Sequence, residues 1–175
     1  MKKLVLFTVI ATLMAPAILV AQTATGTLTV TATVNSSINL VFNNDAAGVA
    51  LSAGAGTNTA TLNFGNVSAF GAVAAGITRT TTATTFTVST PVDVLVTKAN
   101  SASANYTLKA QLGAADAVNT WQVGGTTVTN AAQATITATG AYASNVAEAI
   151  ALTVPFTTAN ATAISNTINF TATAN

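Results

Sequence analysis

The sequence predicts an all-β fold, a single antiparallel β-sandwich, and three observations carry that expectation. Thr and Val are abundant and suit pleated strands, while the many Asn and Gly residues suit the turns between them. Apolar and polar side chains alternate with period two in segment after segment, which sends them to opposite faces of a strand. No segment offers a 3.6-residue apolar stripe. The best helical candidate, Asn145 to Ile150, is too short to hold a helix.

The first segment is of another kind. Lys2 and Lys3 precede an uncharged run from Leu4 to Ala21, with Pro16 near its end and a small residue before Gln22. A short basic start, an apolar run and a small residue make a cleavable secretory signal. Residues 1–21 are therefore expected to be removed, which predicts a secreted protein, extracellular or at the cell surface, with the periplasm as the other destination. An uncleaved span is the rival reading, since the run is just long enough to cross a bilayer. After cleavage no membrane segment is expected.

From Ala24 to Phe42 the even positions include Leu28, Val30, Ala32, Val34, Ile38, Leu40 and Phe42, and the odd positions are mostly Thr, Asn and Ser. At about 3.4 Å per residue, Gly26 to Phe42 would reach roughly 55 Å, against ~17–20 Å for an ordinary strand. A break at Asn35-Ser36-Ser37, with the alternation kept in phase, is the expected solution. This gives residues 22–36 as an N-terminal alternating strand and residues 37–175 as the sandwich domain.

The same grammar continues. Asn43-Asn44-Asp45 reads as a turn, Ser52 to Asn58 as a Gly-rich loop and Thr59 to Phe64 as a short strand. Thr84 to Thr90 reads as a strand that Pro91 ends or marks as an edge. Val92, Val94 and Val96 share one face, as do Tyr106, Leu108, Ala110 and Leu112 beyond the loop Ala99 to Asn105. Gly124-Gly125 between Trp121-Gln122-Val123 and Thr126-Thr127-Val128 is a two-residue hairpin turn. Ala134/Ile136/Ala138, Ile150/Leu152/Val154/Phe156 and Ile168/Phe170/Ala172 complete the set. No repeat of fixed period is present, which argues against a solenoid.

The chemistry-bearing inventory is thin. The chain has no Cys and no His, with five Lys or Arg and four Asp or Glu. That removes Ser-His-Asp and Cys-His nucleophiles, disulfides and thiolate metal sites. A carboxylate hydrolase would need two of Asp45, Asp93, Asp116 and Glu148 to converge in a cleft. Asp45 and Asp116 sit in turn-like surroundings, Asp93 alternates with valines and so faces solvent, and Glu148 follows a loop; ordinary structural roles are expected for all four. Asn43, Asn44 and Asp45 supply fewer carboxylates than a calcium site normally collects. No enzyme activity, cofactor or metal is therefore expected. Beyond the signal the cations are Arg79, Lys98 and Lys109, too few for a nucleic-acid surface.

The alternating N-terminal strand, the short strands and the alternating C-terminal strand resemble secreted pilin-like (Ig-like) sandwiches, those of chaperone-usher pilins and of spore coat U-type domains. Thr61-Leu62-Asn63-Phe64-Gly65-Asn66-Val67 is similar to the Leu-x-Phe-Gly start of the latter. The chain departs from both in lacking the disulfide that many members carry. The resemblance implies a subunit that polymerises by donor-strand complementation, in which a neighbour's N-terminal segment fills the groove left by a missing strand. Leu28, Val30, Ala32 and Val34 would be the inserted side chains, with ladder bonds supplying affinity and alternate pockets the register. It also allows a periplasmic chaperone as partner. The same four residues could instead form the first strand of the protein's own sheet.

These readings give a secreted structural subunit of a bacterial cell-surface fibre, coat or matrix, homo-oligomeric or polymeric through strand addition. The alternative is a monomeric secreted binding module, an adhesin or a carbohydrate or ice binder. That would call on exposed aromatics, for which Tyr106, Trp121 and Tyr142 are the candidates, or on the Thr25 to Thr33 face.

Overall fold

The computed structural model describes residues 25–175, so the expected signal segment, residues 1–21, lies outside the described residues. The chain divides into two units, Met1–Thr33 and Val34–Asn175. In the first, the described part from Thr25 onward carries no strand, and Leu28 and Val30 are exposed.

The second unit is an antiparallel β-sandwich, and no helix occurs among the described residues. Its strands are β1 (Ser37–Asn43), β2 (Thr78–Thr81), β3 (Thr85–Ala99), β4 (Tyr106–Leu112), β5 (Thr120–Val123), β6 (Thr126–Val128), β7 (Ala134–Gly140), β8 (Asn145–Pro155) and β9 (Ile168–Ala174). One sheet runs β1-β3-β8-β5-β6, with β2 also on β3, and the other runs β7-β4-β9. Every pairing is antiparallel.

The alternation predicted from sequence is the alternation of burial. Val88, Val92, Val94 and Val96 of β3 face inward, as do Ile150, Leu152 and Val154 of β8 and all four apolar residues of β4. The inner faces of the two sheets meet in a core that joins Phe86, Val92, Trp121 and Leu152 to Ala110 and Leu112. Gly124 and Gly125 have φ of 54° and 79°, the paired left-handed geometry of a tight hairpin turn, and join β5 to β6 in register.

Three expectations are corrected. Pro91 does not end a strand: β3 runs through it for 15 residues. β2 pairs with β3 as far as Ser89 and β1 begins its pairing at Asp93, so Pro91 lies in the gap between two edge partners. Odd residues of β3 turn their backbone toward that edge, so the missing N–H interrupts no ladder bond. β8 opens at Asn145 and not at Ile150, its first residues held by pairing to Leu95–Thr90 of β3. Thr59 to Phe64 alternates but forms only one bridge, Thr61 to Ala53, because no strand lies beside its remainder. From Thr25 to Ser36 the described residues form no strand; the ladder starts at Ser37, with Ile38, Leu40 and Phe42 keeping the inward phase.

Candidate functional site

The two flanks of the sandwich are built differently. On one, the β5–β6 hairpin turns across to the second sheet: the Leu112 N–H donates to the Thr129 carbonyl at 3.0 Å, and the Gln111 side-chain amide to the Asn130 carbonyl at 2.9 Å. The other flank lies between β1 and β9. There the sheets touch at one end, where Phe42 and Phe170 meet edge to face with centroids 5.2 Å apart. Away from that contact the flank is open over a cleft of about 1730 Å³. Its floor is the inward face of β3 and β8, with Phe86, Val92, Ile150, Leu152 and Val154, and its far wall is β9.

The backbone on this flank is only partly used. In the β4–β9 ladder the Asn175 N–H donates to the Asn105 carbonyl and the Gly113 N–H to the Thr167 carbonyl, which fixes odd residues of β9 as those bonded to β4. Ile168, Phe170 and Ala172 therefore direct their N–H and C=O groups to the free edge, and their side chains inward. On β1 the equivalent outward positions are Ile38, Leu40 and Phe42. Phe42 is occupied, donating to the Thr57 carbonyl and accepting from the Gly56 N–H, so that edge is capped at one end. Among the described residues β9 has no strand on its outer side.

The third boundary is the excursion between β1 and β2. Leu62, Phe64, Val67 and Ala69 rest against the core from the cleft side. Arg79 of β2 donates from its two terminal nitrogens to the Ser68 and Gly71 carbonyls, both at 2.8 Å, and Thr81 Oγ1 donates to the Ala69 carbonyl. This clamp presents Phe70 to solvent, 73% exposed and 6.0 Å from the ring of Phe156.

The four assembly residues singled out from sequence lie just before β1 in the chain. Leu28, Val30 and Val34 are 87%, 80% and 73% exposed, and Ala32 is exposed as well.

The carboxylates do not share one site. Asp116 is bonded by the Val118 and Asn119 N–H groups, by the Asn119 side-chain amide and by the Trp121 indole N–H at 2.8 Å. Its partial burial alone would raise its pKa, but these donors together lower it to about 2. Asp45 and Asp93 do approach each other, outside the cleft. Burial, then the Asp45 charge and the hydrogen bond between the two carboxyls, push Asp93 above the usual range. In the Asn43 to Asp45 turn the Asn44 side-chain oxygen accepts from the Leu51 N–H and that of Asp45 from the Ala47 N–H, while the Asn43 side-chain amide donates to Asn145 Oδ1 on β8.

Glu148 overturns its sequence reading. It lies within β8 on the inward face, 5% exposed, and accepts from Thr137 Oγ1 of the opposite sheet at 3.1 Å. Burial raises its pKa, opposed by that one hydrogen bond. The aromatic candidates also move: Tyr106 and Trp121 are buried and Tyr142 half-buried, with the Tyr106 and Tyr142 rings tilted against each other at 5.4 Å. The exposed aromatic pair is Phe70 and Phe156, and nothing in their local sequence distinguishes them from core residues.

No family model, curated protein or solved structure matches the chain.

Proposed function

We propose that the protein is a secreted structural subunit of a bacterial cell-surface fibre, coat or matrix, and that copies join by donor-strand complementation. The observation that carries this reading is the open flank: an apolar cleft of about 1730 Å³ beside the unpaired edge of β9. An exposed edge of this kind is a template for strand addition. β9 spans 7 residues, the length of Leu28 to Val34. A neighbour's Leu28, Val30, Ala32 and Val34 enter the cleft from one face of the incoming strand, while Thr29, Thr31 and Thr33 remain in water. Asn35 and Ser36 then link that strand to its own β1.

Removal of Gln22 to Asn35 tests the proposal. Size-exclusion chromatography and negative-stain microscopy are expected to show filaments or ladders for the mature chain and none for the deletion variant. A peptide of the deleted segment should bind the variant and raise its melting temperature. Filaments formed equally well without the segment, or a stable monomer from the intact chain, would overturn the proposal; the monomer would favour the binding-module alternative.

A further inference from the structure

The excursion between β1 and β2 contains a strap that is hydrogen-bonded at its ends and held between them by side-chain packing. At one end Thr61 is bonded on both sides, accepting from the Ser52 N–H at 2.8 Å and donating to the Ala53 carbonyl at 2.9 Å. At the other, Arg79 and Thr81 hold the carbonyls of Ser68, Ala69 and Gly71. Between these anchors Leu62, Phe64 and Val67 lie half-buried on the cleft floor. Among the described residues no backbone ladder accompanies them. The one backbone donor engaged there is the Gly65 N–H, which bonds the Asn63 side chain at 2.7 Å within the strap.

We infer that residues 62–67 are a resident plug, covering the cleft floor in the unassembled subunit and displaced by Leu28 to Val34 of a second copy. This rests on the donor-strand reading and adds its regulation. The strap and the incoming segment both present apolar side chains at period two, Leu62 and Phe64 against Leu28, Val30, Ala32 and Val34. They differ in what the backbone gains. Among the described residues the strap forms no ladder with β9, whereas a separate strand laid on the free edge makes one. Displacement exchanges side-chain contacts for side-chain contacts plus ladder bonds. The fixed ends keep the displaced strap next to the cleft, so an empty subunit recovers its cover and does not present bare apolar surface.

The test uses the mature full-length chain and a fluorescent synthetic peptide of residues 24–35. The chain has no cysteine, so Asn66→Cys carries a single environment-sensitive dye on the strap. The dye signal is expected to change in step with peptide anisotropy. A Leu62→Ala/Phe64→Ala variant is expected to bind the peptide about tenfold more tightly, because a cover that is closed nine-tenths of the time weakens apparent affinity by that factor. Arg79→Ala, which loosens one anchor and leaves the apolar contacts in place, should shift affinity in the same direction and serves if the double variant fails to fold. Equal binding by all forms with a silent dye would overturn the plug and leave donor-strand assembly standing. Absence of peptide binding in every form would overturn donor-strand assembly, and the plug with it.

Discussion

Glu148 is the residue at which the fold and its solvent are most at odds. A carboxyl that is 5% exposed, with Thr137 as its hydrogen-bond donor and no ion-pair partner among the described residues, favours its protonated form. The titratable groups around it are the phenols of Tyr106 and, beyond it, Tyr142; Tyr106 is itself pushed up, first by burial and then by the charge of Glu148. The sign follows. A folded-state pKa above the unfolded value gives stability that is complete below the ordinary glutamate range and is lost as pH rises through the folded value. Glu148→Gln is therefore expected to flatten the pH dependence on the alkaline side of that window. It should also stabilise the protein at pH 8 by about 1 kcal/mol, about 2–4 °C in Tm for a chain of this size. Thermal melts of both proteins from pH 4 to pH 9 would measure it, and a variant less stable than the parent at pH 8 would show that the carboxylate is paired after all. This site was not legible beforehand, since Glu148 sits among small residues that read equally well as a loop.

At the level of strands, alternation was legible wherever one face was Val, Leu or Ile, and it placed β3, β4, β8 and β9 and the inward residues of each. It failed where the signal and the ladder part company. β2, Thr-Arg-Thr-Thr, has no apolar face to read, yet pairs with β3 because the turn before Thr85 brings it there. Thr59 to Phe64 has the apolar face and lacks the partner. Edge use is likewise invisible to composition, because it depends on which of two backbone directions a residue takes. That direction makes a sharp prediction for β9. Ala172 turns its N–H to the free edge, so Ala172→Pro should keep the fold and its melting temperature within a few degrees while abolishing filament formation. Thr171 donates to β4, so Thr171→Pro removes a ladder bond and should lower stability by about 1–3 kcal/mol. Circular dichroism melts and electron microscopy of the two neighbours separate the cases; filaments from Ala172→Pro would mean that this edge is not the one used.

For the whole molecule the governing fact is how little charge there is. Five cations and four anions are spread along 175 residues, and two of the cations, Lys2 and Lys3, precede the uncharged run Leu4 to Ala21. In the assembly proposed here long-range steering would then contribute little to encounter between copies, and apolar burial and ladder bonds would supply the affinity. The assembly rate of the mature chain, followed by light scattering, is expected to change less than about threefold between 0.05 and 0.5 M salt, whereas a charge-steered association falls steeply over that range. A decline of tenfold or more would point to an electrostatic contact that the strand geometry does not supply.

The free edge of β9 also decides how a fibre would carry load. In the assembly proposed here the donor strand lies alongside β9, so a pull along the filament acts parallel to both strands. Force then falls on the rungs together, as shear, and not one after another as in the peeling of a hairpin. Resistance to such a pull is set by the rate of strand escape, a property of the barrier and not of the equilibrium. A subunit joined to its neighbour by only a few strand residues can in this way outlast stresses that would open the same number of bonds in sequence.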